Sequence, residues 1–401
     1  MLLAPGFSIH SERFLQWLRK AGCEVYFVDS TRPTNLDSLG ATFLSYPSGL
    51  PRLASNFFAR TTGYVTSSHS AGRSILSAGR SIIRPVDQCL RESQLRRLWL
   101  KVRPDIVHLH WVDNRAYDCY KARMRPLVLT CWGSDINQHF MHGSNPAYTE
   151  RTGRALASGD FVFATSNQVL ERCNILAGRC LHSMRLPLGI DLELFHPGFA
   201  VESQTWRAEL GIPNGARILL SMRAWKREHR HEMILHAFSQ TRKSLNIPIF
   251  LVFRRHNADD SRYEHEVRVE AEKLGILEYV RWVDSVPYDR MPELYAIADA
   301  VVNFPAMDSF PTGFIEAAAC GKTVISSRLP SYEGAIPEDV FRLVSPDSVQ
   351  ELAQAMTEVL HEPQREAAAR GERAREWARQ TGDEKVCIRE TMTRYEKLVN
   401  R

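Results

Sequence analysis

Short apolar runs closed by glycine, proline or a charged cluster recur along this chain. They alternate with stretches whose apolar residues fall three and four apart. The runs read as buried strands and the stretches as amphipathic helices. Met1 to Pro5 predicts a first strand and Gly6 to Ser11 its loop. Glu12 to Ala21, apolar at 14, 15, 17 and 18, predicts a helix capped by Gly22, and Glu24 to Val28 a second strand. Further strands are predicted at Pro104–Trp111, Leu127–Thr130, Gly159–Ser166, Arg217–Met222, Ile249–Phe253, Tyr279–Val283, Ala300–Phe304 and Thr323–Ser326. Helices are predicted at Glu232–Leu245 and Gly313–Cys320, and over 347–362 and 364–400. Strand, helix and parallel strand in succession make an α/β fold of Rossmann-like sheets.

At 401 residues the chain exceeds one ordinary core, so two domains are expected. Leu186–Pro197, with a glycine and two prolines, reads as an extended connector. The boundaries drawn are 1–195 for the first domain, completed by a C-terminal helix over 376–401, and 196–375 for the second.

Composition narrows the class. With 44% hydrophobic and 24% charged residues the chain is neither disordered nor fibrous. Its net charge of +5 is modest and no nucleic-acid motif accompanies it, so no nucleic-acid partner is expected. Eight cysteines without a C-x-x-C pair suggest a reducing cytosol. No run of eighteen apolar residues and no leader are seen. Residues 52–103 stand apart: ten basic residues against two acidic, an excess of +8, interleaved with Phe57, Tyr64, Ile75, Ile82 and Trp99. Such a stretch fits an anionic membrane surface, at about 1 kcal/mol per basic residue. A solvated helical face fits it equally.

Candidate chemistry gathers in the second half. Arg223 directly follows a strand, with Lys226, Arg227, His229, Arg230 and His231 behind it and a helix beyond. Cations there suit an anionic group such as a diphosphate. Asp308 sits in a strand-to-helix loop and Glu316 in the helix that follows, wedged before Ala317-Ala-Ala-Cys-Gly321. An acid buried there requires a partner. In the first half His108 and His110 share one face of a strand, and the neighbouring strand runs into Trp132, Ser134 and Asp135. His108, His110, His139 and His142 lack a cysteine or carboxylate at ligand spacing, so no metal site is expected. The absence of G-x-G-x-x-G argues against a dinucleotide dehydrogenase.

Segments 104–111, 127–135, 186–197, 217–238 and 292–326, in that order, resemble the retaining glycosyltransferases of family 4 (glycosyl transferases group 1), which have the GT-B fold. Asp308 and Glu316 match that family's E-x7-E signature, with Asp for Glu at the first position. The resemblance implies two Rossmann-like domains facing a central cleft. It implies a metal-independent hexosyltransferase without a cofactor, using a nucleotide-diphosphate sugar as co-substrate. Asp308 would touch the donor sugar, Glu316 the ribose, and Arg223 and Lys226 the diphosphate, with Arg227 and His229 as rivals to Lys226. Thr312 and Gly313 join the donor-binding set, and the nucleotide base falls near the 283–288 turn. His110 joins Asp308 and Glu316 as catalytic, because Trp132 replaces the family's histidine; Ser134 and Asp135 are further candidates for that sugar contact. The loop Gly6-Phe-Ser-Ile-His10 replaces the family's Gly-Gly pair and faces the acceptor, and Arg254-Arg-His256 replaces a Gly-rich turn. The implied acceptor is a glycan, lipid-linked or small molecule, from a cytoplasmic enzyme peripheral on the inner membrane face. The alternatives are a GT-B-fold epimerase or phosphorylase, and a non-catalytic partner that binds nucleotide or membrane.

Overall fold

The computed structural model describes residues 1–4, 9–30, 32–33, 36, 39–46, 71–141, 143–256 and 260–401; at 9, 10 and 71–86 it describes backbone alone. The chain forms two compact units. The first is Met1–Leu186 with Ile388–Arg401, and the second is Pro187–Cys387. The connector from Pro187 onward therefore belongs to the second unit.

Among the described residues the first unit holds seven parallel strands. They are β1 (Leu2–Leu3), β2 (Tyr26–Asp29), β3 (Thr42–Ser45), β4 (Val107–His110), β5 (Leu127–Cys131), β6 (Phe161–Ala164) and β7 (Ser183–Arg185). Their order across the sheet is β3-β2-β1-β4-β5-β6-β7. The second unit holds β8 (Arg217–Ser221), β9 (Ile249–Arg254), β10 (Val280–Val283), β11 (Ala300–Asn303), β12 (Thr323–Ser327) and β13 (Arg342–Val344), ordered β10-β9-β8-β11-β12-β13. Each pairing is parallel; β11 sets Ala300 beside Thr323 of β12 and beside Leu219 of β8. Helices cover both faces, so β4 and β9 are buried along their whole length and can be almost continuously apolar.

The strand order reverses between β1 and β4 in the first sheet and between β8 and β11 in the second. At such a reversal the connections leave to opposite faces, and a crevice opens beyond the strand carboxyl ends. Each unit therefore has one natural site, and the sequence decides what fills it.

Three edge strands, β3, β7 and β13, escape the hydrophobic pattern. They are short and none of their residues is fully buried. The helix expected over 364–400 is broken into Gln364–Gly382 and Glu384–Val399. The break has a tertiary cause: Ile190 donates to the Gly382 carbonyl (2.8 Å) and accepts from the Glu384 amide (3.0 Å), so Asp383 is drawn out as an extended residue. Gly382 permits this, because a Cβ there would lie 2.5 Å from Ile315.

The basic stretch is partly outside the described residues, at 52–70. The remainder is one long helix, Ala71–Val102. Leu95 is buried, and Leu98 and Trp99 pack on the core of the first unit. Leu90, Arg96, Arg97, Leu100 and Lys101 are exposed.

Candidate functional site

The crevice of the second unit starts where β8 ends, and Arg223 stands just past it. On the other side β11 runs into the loop 304–311. Arg230 holds that loop, donating from Nε to the Phe304 carbonyl (3.1 Å) and from Nη2 to that of Pro305 (2.9 Å). Ser327, at the end of β12, donates to the same Pro305 carbonyl (2.6 Å). A loop held by three bonds at its start can carry a charged side chain to a set position.

That side chain is Asp308. One oxygen meets Arg223 Nη2 at 2.9 Å and accepts from the Tyr332 hydroxyl at 3.2 Å; the other accepts from the Ser309 amide at 2.8 Å. Arg223 Nη2 also donates to His229 Nε2 at 2.7 Å. Only one corner of the guanidinium is used in these contacts. Its Nε is buried and has no acceptor among the described residues. Tyr332 remains a hydroxyl donor, since burial and the Asp308 charge push its ionisation well above the usual range.

Glu316 lies in the helix Thr312–Ala319, 6% exposed, and accepts from the Tyr295 hydroxyl at 2.9 Å. Burial and the Glu316 charge keep that phenol protonated. The helix starts after Pro311 with no side-chain cap, and Thr312 and Gly313 are its first residues. Uncapped N–H groups at a helix start attract anions. Gly321, at φ +71°, closes the far end as the pattern predicts.

The other cations separate clearly. Lys226 is exposed, and no hydrogen bond or ion pair among the described residues holds its ammonium. Arg227 turns away to Glu266, at 2.7 Å. His231 is fully buried, stacked on Trp225 (4.3 Å) with Nε2 3.3 Å from the Arg223 carbonyl. Burial and the Arg223 charge bring the His229 pKa down to about 2; burial, against the raising bond to the Arg223 carbonyl, brings that of His231 to about 3.

The crevice of the first unit is aromatic. His110 ends β4, 1% exposed, with ring centroids of Phe14, His108 and Trp132 at 4.3, 4.7 and 5.4 Å. A substrate reaches it only if one of those rings moves. His108 is tied to the Tyr395 hydroxyl and, at 2.7 Å, to Thr130 Oγ1. Asp135 is fully buried and its oxygens accept from the amides of Val112 (2.9 Å), Gly133 (2.8 Å) and Trp132 (3.1 Å). It holds the loop after β5. Ser134 is exposed. His139 bonds Thr149 at 3.0 Å, and His142, Gly6 and Ser8 lie outside the described residues.

Tyr295, Tyr332 and the His229 contact with Arg223 were not assigned from sequence. The one available signal was the rule that a buried acid needs a donor.

Two family models match the chain: "Glycosyl transferases group 1" over residues 202–377 and "Glycosyl transferase 4-like" over 79–166. By these matches the chain belongs with the family-4 type of GT-B glycosyltransferases. The fold agrees: a crystal structure of a glycosyltransferase from Rickettsia africae superposes with a TM-score of 0.77 at 15% identity, covering 99% of this chain and 98% of that one. Anabaena HepE, solved in complex with UDP and glucose, gives 0.75 at 15% identity and 99% coverage of both chains. In sequence, this family-4 chain is 26% identical over 264 residues to a Bacillus subtilis (strain 168) protein assigned to teichuronic acid biosynthesis as glycosyltransferase TuaC. It is 26% identical over 250 residues to D-inositol 3-phosphate glycosyltransferase 1 of Catenulispora acidiphila. These matches cover 65% and 58% of this chain and span 62% and 58% of the relatives' lengths.

Proposed function

We propose that this protein moves a hexosyl unit from a nucleotide-diphosphate sugar to an acceptor, with retention of anomeric configuration and without a metal ion. The observation that carries the reading is the Arg223–Asp308 pair at the strand-order reversal of the second unit, beside an uncapped helix start. Arg223 offers the rest of its guanidinium to the diphosphate, and Lys226 adds a second, untethered cation. The amides of Thr312 and Gly313 add partial positive charge. Glu316, steadied by Tyr295, binds the ribose, and Asp308 faces the sugar. As the glycosidic bond to phosphate breaks, charge builds on the leaving oxygen; cations fixed there stabilise that charge without reorganising. The same oxygen takes the acceptor's proton as the acceptor attacks from the face it leaves, so no protein nucleophile is needed.

The complexes of HepE with UDP and with UDP-glucose support a nucleotide-sugar donor. The TuaC likeness supports an envelope or lipid-linked glycan acceptor, and the inositol-phosphate relatives support a small molecule. The exposed Arg96, Arg97 and Lys101 of the helix Ala71–Val102 support a peripheral position on an anionic cytoplasmic membrane face.

The test is a thermal-shift screen of UDP-, GDP- and dTDP-hexoses, followed by NMR of the product formed from the stabilising donor. The expected result is one stabilising donor and a first-formed sugar of unchanged anomeric configuration. A donor set that neither shifts melting nor is consumed overturns the enzyme reading. An inverted product overturns retention, an acceptor-independent epimer indicates an epimerase, and turnover requiring free phosphate indicates a phosphorylase.

A further inference from the structure

His229 is in a position that its two hydrogen bonds define without ambiguity. Nδ1 lies 2.7 Å from the Ala224 carbonyl, which can only accept. Nδ1 therefore carries a proton. Nε2 lies 2.7 Å from Arg223 Nη2, which can only donate, so Nε2 carries none. The ring is neutral in one tautomer, and its burial and the adjacent guanidinium keep it so. The facing charged and titratable groups are Arg223 and Lys226 from its own loop, His231 from the next helix, and Asp308 across Arg223. A cation there would repel Arg223, and an acid would compete with Asp308. A neutral acceptor orients the guanidinium and leaves its charge undiminished.

We infer that His229 is a positioning residue for Arg223: with Asp308 on the other side it grips Nη2 and fixes the plane in which the remaining N–H groups meet the donor diphosphate. The ligand half of this inference rests on the nucleotide-sugar reading above. Both ring nitrogens of His229 are engaged by the protein, Nδ1 by Ala224 and Nε2 by Arg223.

Two side chains separate positioning from loop support. His229→Gln puts an acceptor near the Nε2 position and keeps the Arg223 bond, losing the Ala224 bond. His229→Asn keeps a donor for Ala224 and loses the acceptor for Arg223. Calorimetry with UDP and GDP on the full chain should show the tighter nucleotide weakened roughly tenfold in His229→Asn and mostly restored in His229→Gln. The opposite ranking would mean that His229 serves the loop only, and overturns the inference. Separately, nitrogen-15 histidine spectra of the wild-type protein at pH 7 and 5.5 should show an unprotonated Nε2 at both. A protonated Nε2 overturns the Arg223 contact whatever binds. If the wild-type protein binds neither nucleotide, the donor reading and the ligand half fall together, and the spectra still decide the contact.

Discussion

The two strand-order reversals share a backbone plan and differ in what their side chains are free to do. In the first unit Asp135 holds three loop amides, and His108 spans Tyr395 and Thr130. Among the described residues of the second unit Arg223 keeps a buried Nε without an acceptor, Lys226 is untethered, and the helix start has no side-chain cap. One acid in each unit makes the point. Asp135 serves the fold, whereas Asp308 serves a cation that has donors left over. The fold supplies two crevices, and on the proposed reading the spare donors of Arg223 make the second the one that takes the donor diphosphate.

The comparison breaks most decisively at Glu316. Glu316→Gln should lower transfer at least roughly a hundredfold, the scale of losing a positioned polar contact, with little change in fold by circular dichroism. Near-normal turnover would remove the second crevice as the reacting one. Asp135→Asn should do the reverse: lose about 1–3 kcal/mol in urea unfolding, because one amide faces a donor in place of an acceptor, yet leave nucleotide affinity within about twofold. A large affinity loss without a stability loss would make the two acids alike.

Acid tests where the two regions agree. His108, His229 and His231 all have lowered pKa values in the folded chain, chiefly through burial. Unfolded, each titrates near 6.5, so below that pH the unfolded chain binds protons that the folded chain refuses. Stability is full above about pH 6.5 and falls as the pH drops, by about 1 kcal/mol per histidine at pH 5.5. Denaturation curves at pH 7.5 and 5.5 measure it, and flat stability over that window would contradict the buried neutral rings. The smallest effect is expected from Lys226→Ala: donor KM up about threefold with melting unchanged, since an exposed cation contributes through charge alone.

Much of this was legible in the chain. Period and punctuation exposed the βαβ units, and the strand-end position singled out Arg223, Asp308 and Glu316. Sequence could not name their partners. Tyr295 is 21 residues from Glu316 and Tyr332 is 24 from Asp308, and only the parallel crossovers bring them together. The Asp383 break was hidden for the same reason: Gln364–Val399 has helical composition throughout, and a strand-like contact from Ile190 overrides it. Edge strands β3, β7 and β13 are half wet, so they carry no apolar run to detect.

The partnership of His108 with Tyr395 spans 287 positions, and the whole of the second unit lies between them. A ribosome therefore finishes every residue of Pro187–Cys387 before it delivers the segment that completes the earlier half. The later-made half can close on itself first, and by collapsing it shortens the tether that the last helix must draw back. The half begun first is therefore the half that is completed last.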